Sequence, residues 1–388
     1  MRVTKLFNEF FNSEKAGGLV LVIATGLSLI LANSFIKTEY ISIWNTDIGG
    51  HSLVHWINDG LMAIFFLLIG LELEREIYKG ELSSFKNASL PIFAAIGGMV
   101  VPALIFLGLN FGTETQSGIA IPMATDIAFA IGILSLLGNR VPVSLKIFLT
   151  AFAVIDDLGA IMIIAIFYSG SLSITNLLVA GGIYVLLIIL NRLKVRNLIP
   201  YLAGGILMWY FMLNSGVHAT ITGILLAFVI PFGDGKAKSP SFILQHHLHK
   251  PVALFILPVF ALANTCITIG AGWYNGLLES NSLGIMAGLL IGKPLGILLF
   301  SVAGVALGLC VLPSDLTWKN IAGVGFLGSI GFTMSIFITL LAFDNEALIN
   351  SSKIAIILSS TIAGVIGLVF LKLSLRTKVE EEEEESEL

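Results

Sequence analysis

IFLTAFAVIDDLGAIMIIAIFY, residues 147–168, is long and apolar enough to cross the hydrocarbon of a bilayer, yet it carries two consecutive carboxylates, Asp156 and Asp157, at its middle. A charge at that depth costs about 2.5–3.5 kcal/mol even on the milder insertion scale, so such residues survive where something offsets the cost. Two further runs share the property. IAIPMATDIAFAIGILSLL, 119–137, holds Asp126, and LGIMAGLLIGKPLGILLFSVAG, 283–304, holds Lys293. Together the four charges oppose insertion by on the order of 10 kcal/mol.

Outward from these runs the whole chain reads as a membrane protein. Of 388 residues 56% are hydrophobic and 12% charged, and the mean hydropathy is +0.95, values that exclude an ordinary soluble domain. Apolar runs of span length begin at Ala16–Ile36 and recur near residues 64, 99, 128, 157, 183, 206, 224, 258, 293, 330 and 362, which gives about twelve spans. Lipid leaves backbone amides no outside partner, and no barrel-like alternation is present, so the expected fold class is an all-α membrane protein. Residues 1–15, with Phe7, Phe10 and Phe11, read as an amphipathic interfacial segment, 16–375 as one transmembrane domain, and 376–388 as an acidic, disordered tail. Cys266 and Cys310 both fall in apolar runs and read as small core residues.

Of the 21 lysines and arginines, all but Lys37, Lys353 and the intramembrane Lys293 fall on the side that holds both termini if the spans number twelve. That asymmetry places both ends in the cytoplasm.

Asp156 and Asp157 lie about 100° apart around a helix, so one can face Lys293 while the other faces a cavity. Two readings stay open for these charges: an ion-pair network that fixes helix packing, and a site where a cation and a proton compete for the same oxygens. Backbone breaks favour the second. The run around Asp126 contains Pro122 and Thr125, and GFLGSIGFTMS, 325–335, interrupts another span with Gly328, Ser329, Gly331, Thr333 and Ser335. Each is the middle helix of a three-helix unit, 88–168 and 283–372, which is the pattern of inverted repeats with two interrupted, crossing helices. Half-helix ends meeting in mid-membrane leave partial charges that Asp126 and Lys293 are placed to neutralise.

With these residues in hand, the chain closely resembles the NhaA family of sodium/proton antiporters over nearly its whole length. The matching stretches are MAIFFLLIGLELEREI (62–77), IPMATDIAFAIGILSLLGNRVP (121–142), LKIFLTAFAVIDDLGAI (145–161), SGVHATITGILLAFVIP (215–231), GLLIGKPLGI (288–297) and GSIGFTMSIFI (328–338). Inverted repeats are already known in that family, so this architecture is also an implication of the resemblance. The resemblance implies that Asp157 is the principal ligand of the transported Na+ or Li+ and the proton carrier. It implies Asp156 beside it, paired to Lys293 in one state, with Thr125 and Asp126 at the crossing. It further implies electrogenic exchange of cytoplasmic Na+ or Li+ for external H+ in a bacterial inner membrane, activated at alkaline pH and serving sodium and pH homeostasis.

A pH-sensing cluster would map onto Glu72, Arg75, Glu76, His218, His246 and His249. Gln245 stands where the family pattern has a glutamate, and Glu74 where a basic residue is familiar. His246, His247 and His249 read as part of a solvated loop rather than a metal site. The stretch ISIW (41–44), NTDIGG and HSLV resembles a short hairpin, which in this family supports a homodimer. No cofactor and no nucleic-acid partner is expected; the partners are the ions, lipid and a second copy. An intramembrane aspartyl protease also needs two buried aspartates, but its glycine-flanked catalytic motif is missing and Lys293 would keep a carboxylate ionised when the dyad must share a proton. A cation channel would carry a carbonyl filter or a charge ring repeated by symmetry, and neither is evident.

Overall fold

The computed structural model describes residues 5–168, 172–270 and 272–387. The expected interfacial segment and acidic tail lie, wholly or in their side chains, outside the described residues. Among those described, the chain is almost entirely helical. Nine helices among the described residues are long and apolar enough to cross a membrane, from Lys15–Ala32 to Glu346–Leu375, and the pair Trp318–Gly328 and Phe332–Ala342, bent by 46° at its break, makes a tenth. The expected spans near 206 and 224 are the shorter apolar helices Ile199–Leu213 and Ile221–Val229. Asn214, Ser215, Gly216 and Pro231 supply the turns that stop them short of full span length.

The fold divides into two compact units. One comprises residues 1–19, 84–160 and 269–388. Within it the helices Phe85–Asn110 and Lys293–Ala306 approach closely at Gly97 and Gly296: a Cβ on either would stand 2.1 Å from the carbonyl oxygen of the other. Small residues are what let membrane helices come together backbone to backbone. The Asn110 amide, buried at the end of the first of these helices, donates to the Phe106 and Ser280 carbonyls at 3.0 Å each. Lys293 follows a π-helical turn, Gly288–Gly292, and precedes Pro294; such turns break the regular hydrogen-bond ladder and recur at functional sites.

The other unit comprises residues 20–83 and 161–268. Its core is formed by Leu67 and Leu71 of Met62–Lys79, Tyr201 and Met208 of Ile199–Leu213, and Leu226 and Ala227 of Ile221–Val229. The Tyr201 hydroxyl, carried into this apolar cluster, donates to the Val195 carbonyl at 3.0 Å, as a buried phenol requires. The hairpin is smaller than the sequence suggests. Residues 41–44 belong to the helix Lys37–Trp44, and the strands are Asp47–Ile48 and His51–Ser52. Gly49 (φ 67°) and Gly50 (φ 90°) form the turn between them, a conformation that glycine adopts without strain.

Candidate functional site

The two interrupted runs meet. The first consists of a 3-10 segment, Glu114–Met123, an extended Ala124–Thr125–Asp126, and the helix Ile127–Ser135. Pro122 removes a backbone donor just before the extended residues. At the break the Asp126 N–H donates to the Ile330 carbonyl at 2.6 Å, and the Thr125 hydroxyl donates to the Gly328 carbonyl at 2.7 Å. Thr125 thereby satisfies a carbonyl at the end of Trp318–Gly328.

Asp126 is 2% exposed and caps two helices at once. Its Oδ1 accepts from the Phe129 N–H at 3.0 Å, at the start of Ile127–Ser135. Its Oδ2 accepts from the Thr333 N–H at 3.0 Å, at the start of Phe332–Ala342, and also from the Thr333 hydroxyl. The carboxylate thus lies where the positive ends of two half-helices converge, and it takes the donors that those ends leave open.

Lys293 does the converse. Its Nζ lies 2.8 Å from Asp156 Oδ2 and also donates to the carbonyl of Met123, the last residue of the 3-10 segment. Lys293 and Asp156 are fully buried and Asp157 is 1% exposed. The ammonium feels the charges of both aspartates, while Asp156, whose Oδ1 is also buried, interacts with the Thr125 hydroxyl as well as with Lys293. Asp157 leaves the helix about 100° round from Asp156. Carboxylate oxygens stripped of water in this way suit a small hard cation or a proton, each of which neutralises the same charge.

The second unit gathers five of the six remaining candidates. Glu72 Oε1 lies 3.2 Å from His249 Nδ1, both side chains nearly buried. Arg75 Nη1 donates to Gln245 Oε1 at 3.5 Å, and its guanidinium stands 5.2 Å over the Phe242 ring. His246 stacks on the same ring, and Glu76 Oε2 accepts from the Glu81 N–H at 3.0 Å. His218 is not among them. Its Nε2 is 2.6 Å from the Tyr168 carbonyl oxygen and it feels the charge of Asp59, about 20 Å along the helical run from Glu72.

The sequence reading of residues 246–249 as loop is corrected here. They lie in the helix Pro240–Pro251, which Pro240 opens at its first turn, where a missing N–H costs nothing. Among the described residues no group of three or more His, Cys, Asp or Glu side chains could hold a metal ion.

Thr333 and the Met123 carbonyl are partners the sequence did not nominate. Thr333 carried a signal, a hydroxyl in an interrupted apolar run. A backbone carbonyl carries none.

The family profile described as Na+/H+ antiporter 1 matches residues 8–371. The chain is 66% identical to "Na(+)/H(+) antiporter NhaA 1" of Flavobacterium johnsoniae, over 97% of this chain and 99% of that protein. It is 64% identical to "Na(+)/H(+) antiporter NhaA" of Flavobacterium psychrophilum, over 98% and 99%, and 62% identical to the protein of the same name in Cytophaga hutchinsonii, over 98% and 99%.

Proposed function

Because this chain belongs to the Na+/H+ antiporter (NhaA) family, and so exchanges sodium for protons across a membrane, we propose that Asp157 is the group on which the two ions alternate. Asp156 and Lys293 are its partners, and Thr125 and Asp126 hold the crossing in shape. The observation that carries this reading is the fully buried contact of Lys293 with Asp156 beside the crossing, one residue from Asp157. A sodium or lithium ion arriving at the aspartates competes with the ammonium for Asp156 and with a proton for Asp157. Release of the cation to the far side lets protons and the ammonium take its place. Ion occupancy is thus coupled to a rearrangement of one buried pair.

The exchange runs electrogenically, cytoplasmic Na+ or Li+ leaving as external protons enter, in a bacterial inner membrane with both termini cytoplasmic. The distribution of lysine and arginine supports that orientation. Residues 88–168 and 283–372 are the two repeats of one transmembrane domain, flanked by the interfacial segment and the acidic tail. Glu72, Arg75, Glu76, His246 and His249, with His218 apart from them, adjust the rate to pH, and the 47–52 hairpin joins two copies into a dimer.

The test uses inside-out vesicles that hold a preformed proton gradient. Adding sodium should collapse the gradient and adding potassium should not. Asp157→Asn should abolish the response and Asp156→Asn should impair it severely; normal transport by Asp157→Asn would remove this assignment.

A further inference from the structure

Glu74 is 4% exposed, and its Oε2 is buried without a hydrogen-bond partner. Burying a carboxylate with an uncompensated acceptor is costly, and a cationic donor at the edge of the group that meets solvent would lower that cost. The carboxylate borders a cavity of about 600 Å³ whose lining includes Tyr78, Asn191, Arg192, Phe228 and Phe232. That volume lies within the range of small-molecule sites and far exceeds what a bare cation fills. Glu74 is the only acid in the lining, so a divalent ion would lack the several oxygens it requires. The Asn191 amide is already committed to the Val229 carbonyl at 2.9 Å.

The remaining chemistry is bipolar. The lining holds one carboxyl group, that of Glu74, and one guanidinium-bearing residue, Arg192, at the end of the helix Ile174–Arg192. Tyr78 and Phe232, ring centroids 5.0 Å apart, also line the cavity, and such faces also attract ammonium groups. The surroundings are lipid-facing: only 11% of the membrane window of Ile174–Arg192 is buried, and Val185, Leu186 and Ile189 stand about half exposed below Arg192.

We propose that this cavity holds the headgroup of a zwitterionic aminophospholipid, its primary ammonium donating to Glu74 and its phosphate resting against Arg192. The acyl chains run along the exposed face of Ile174–Arg192. Phosphatidylcholine presents no N–H and cannot satisfy Glu74, so the site selects for phosphatidylethanolamine.

The full-length protein, purified in detergent and offered equal phosphatidylethanolamine and phosphatidylcholine of matched chains, should retain the former about tenfold more by native mass spectrometry. Glu74→Gln should bring the two lipids to near parity, Arg192→Gln should weaken both, and Glu74→Lys should turn the preference toward phosphatidylglycerol. Equal retention by the unaltered protein, or an undiminished preference in Glu74→Gln, would overturn the proposal. Should the Glu74 variants fail to fold, the unaltered protein decides by competition. Displacement of bound lipid by millimolar phosphoethanolamine but not phosphocholine supports the site, and equal displacement by both refutes it. Phosphoethanolamine binding as tightly as the lipid would assign the cavity to a soluble zwitterion instead.

Discussion

Lys293, fully buried, commits its ammonium to Asp156 and to the Met123 carbonyl, so its removal leaves a carboxylate and a carbonyl both buried and unsatisfied. Breaking one side of a buried pair costs about 3–5 kcal/mol, whereas replacing both sides by neutral groups of similar shape costs far less. Lys293→Met should therefore lower the unfolding midpoint in detergent markedly, and Asp156→Asn added to it should restore most of the loss without restoring exchange. A midpoint equal in the single and double variants would show that the pair contributes nothing to stability. At this scale the sequence was informative about identity, and the pairing of Asp156 with Lys293 followed from the family resemblance rather than from any local pattern. Asp126, Asp156, Asp157 and Lys293 stand out because ionisable groups are rare in apolar runs. That Asp126 receives Thr333, 207 residues away, depends on how two broken helices lie together, which no local pattern encodes.

Helices in this protein meet through absences of side chain as much as through contacts. At the Gly97–Gly296 crossing a Cβ on either glycine would collide with backbone that has no rotamer to yield, so Gly97→Val should force Phe85–Asn110 away from Lys293–Ala306. Overpacking of this kind costs about 1–3 kcal/mol, and it should appear as a lower melting temperature and slower exchange. Gly108, in the same helix, would meet nothing within 4 Å. Gly108→Ala should leave the protein unchanged or raise its stability by up to about 1 kcal/mol through helix propensity. Equal effects of the two substitutions would mean that the close approach is unimportant. Element existence was legible because a span must be long, apolar and helical. Element length was less so: Ile199–Leu213 and Ile221–Val229 sit in apolar runs as rich as the others, and turns within those runs shorten them. The helix over 240–251 was misread because its polar histidines outweighed the helix-opening signal of Pro240.

Across the molecule, two groups of charges lie in different units, and they should fail differently. Substitution of Asp156 or Asp157 should lower exchange at every pH, since it removes the ligand itself. His249→Ala or Glu72→Gln should change the pH dependence while leaving the maximal rate within about twofold, as expected of groups that bias a conformational equilibrium without binding the ion. Vesicle exchange measured from pH 6 to pH 9 separates these outcomes, and a flat loss of rate in His249→Ala would move that residue into the transport path. The amino-acid sequence by itself determined that the chain is a polytopic helical membrane protein with charges stranded at mid-span, because hydropathy, length and residue type are local properties. Only the tertiary structure decided that Lys293 also reaches the Met123 carbonyl, that Asp126 caps two half-helices, and that His218 meets Tyr168 and Asp59 rather than the Glu72–His249 group. Those partnerships join residues from 50 to more than 200 positions apart, and packing in three dimensions, not spacing along the chain, sets which of them meet.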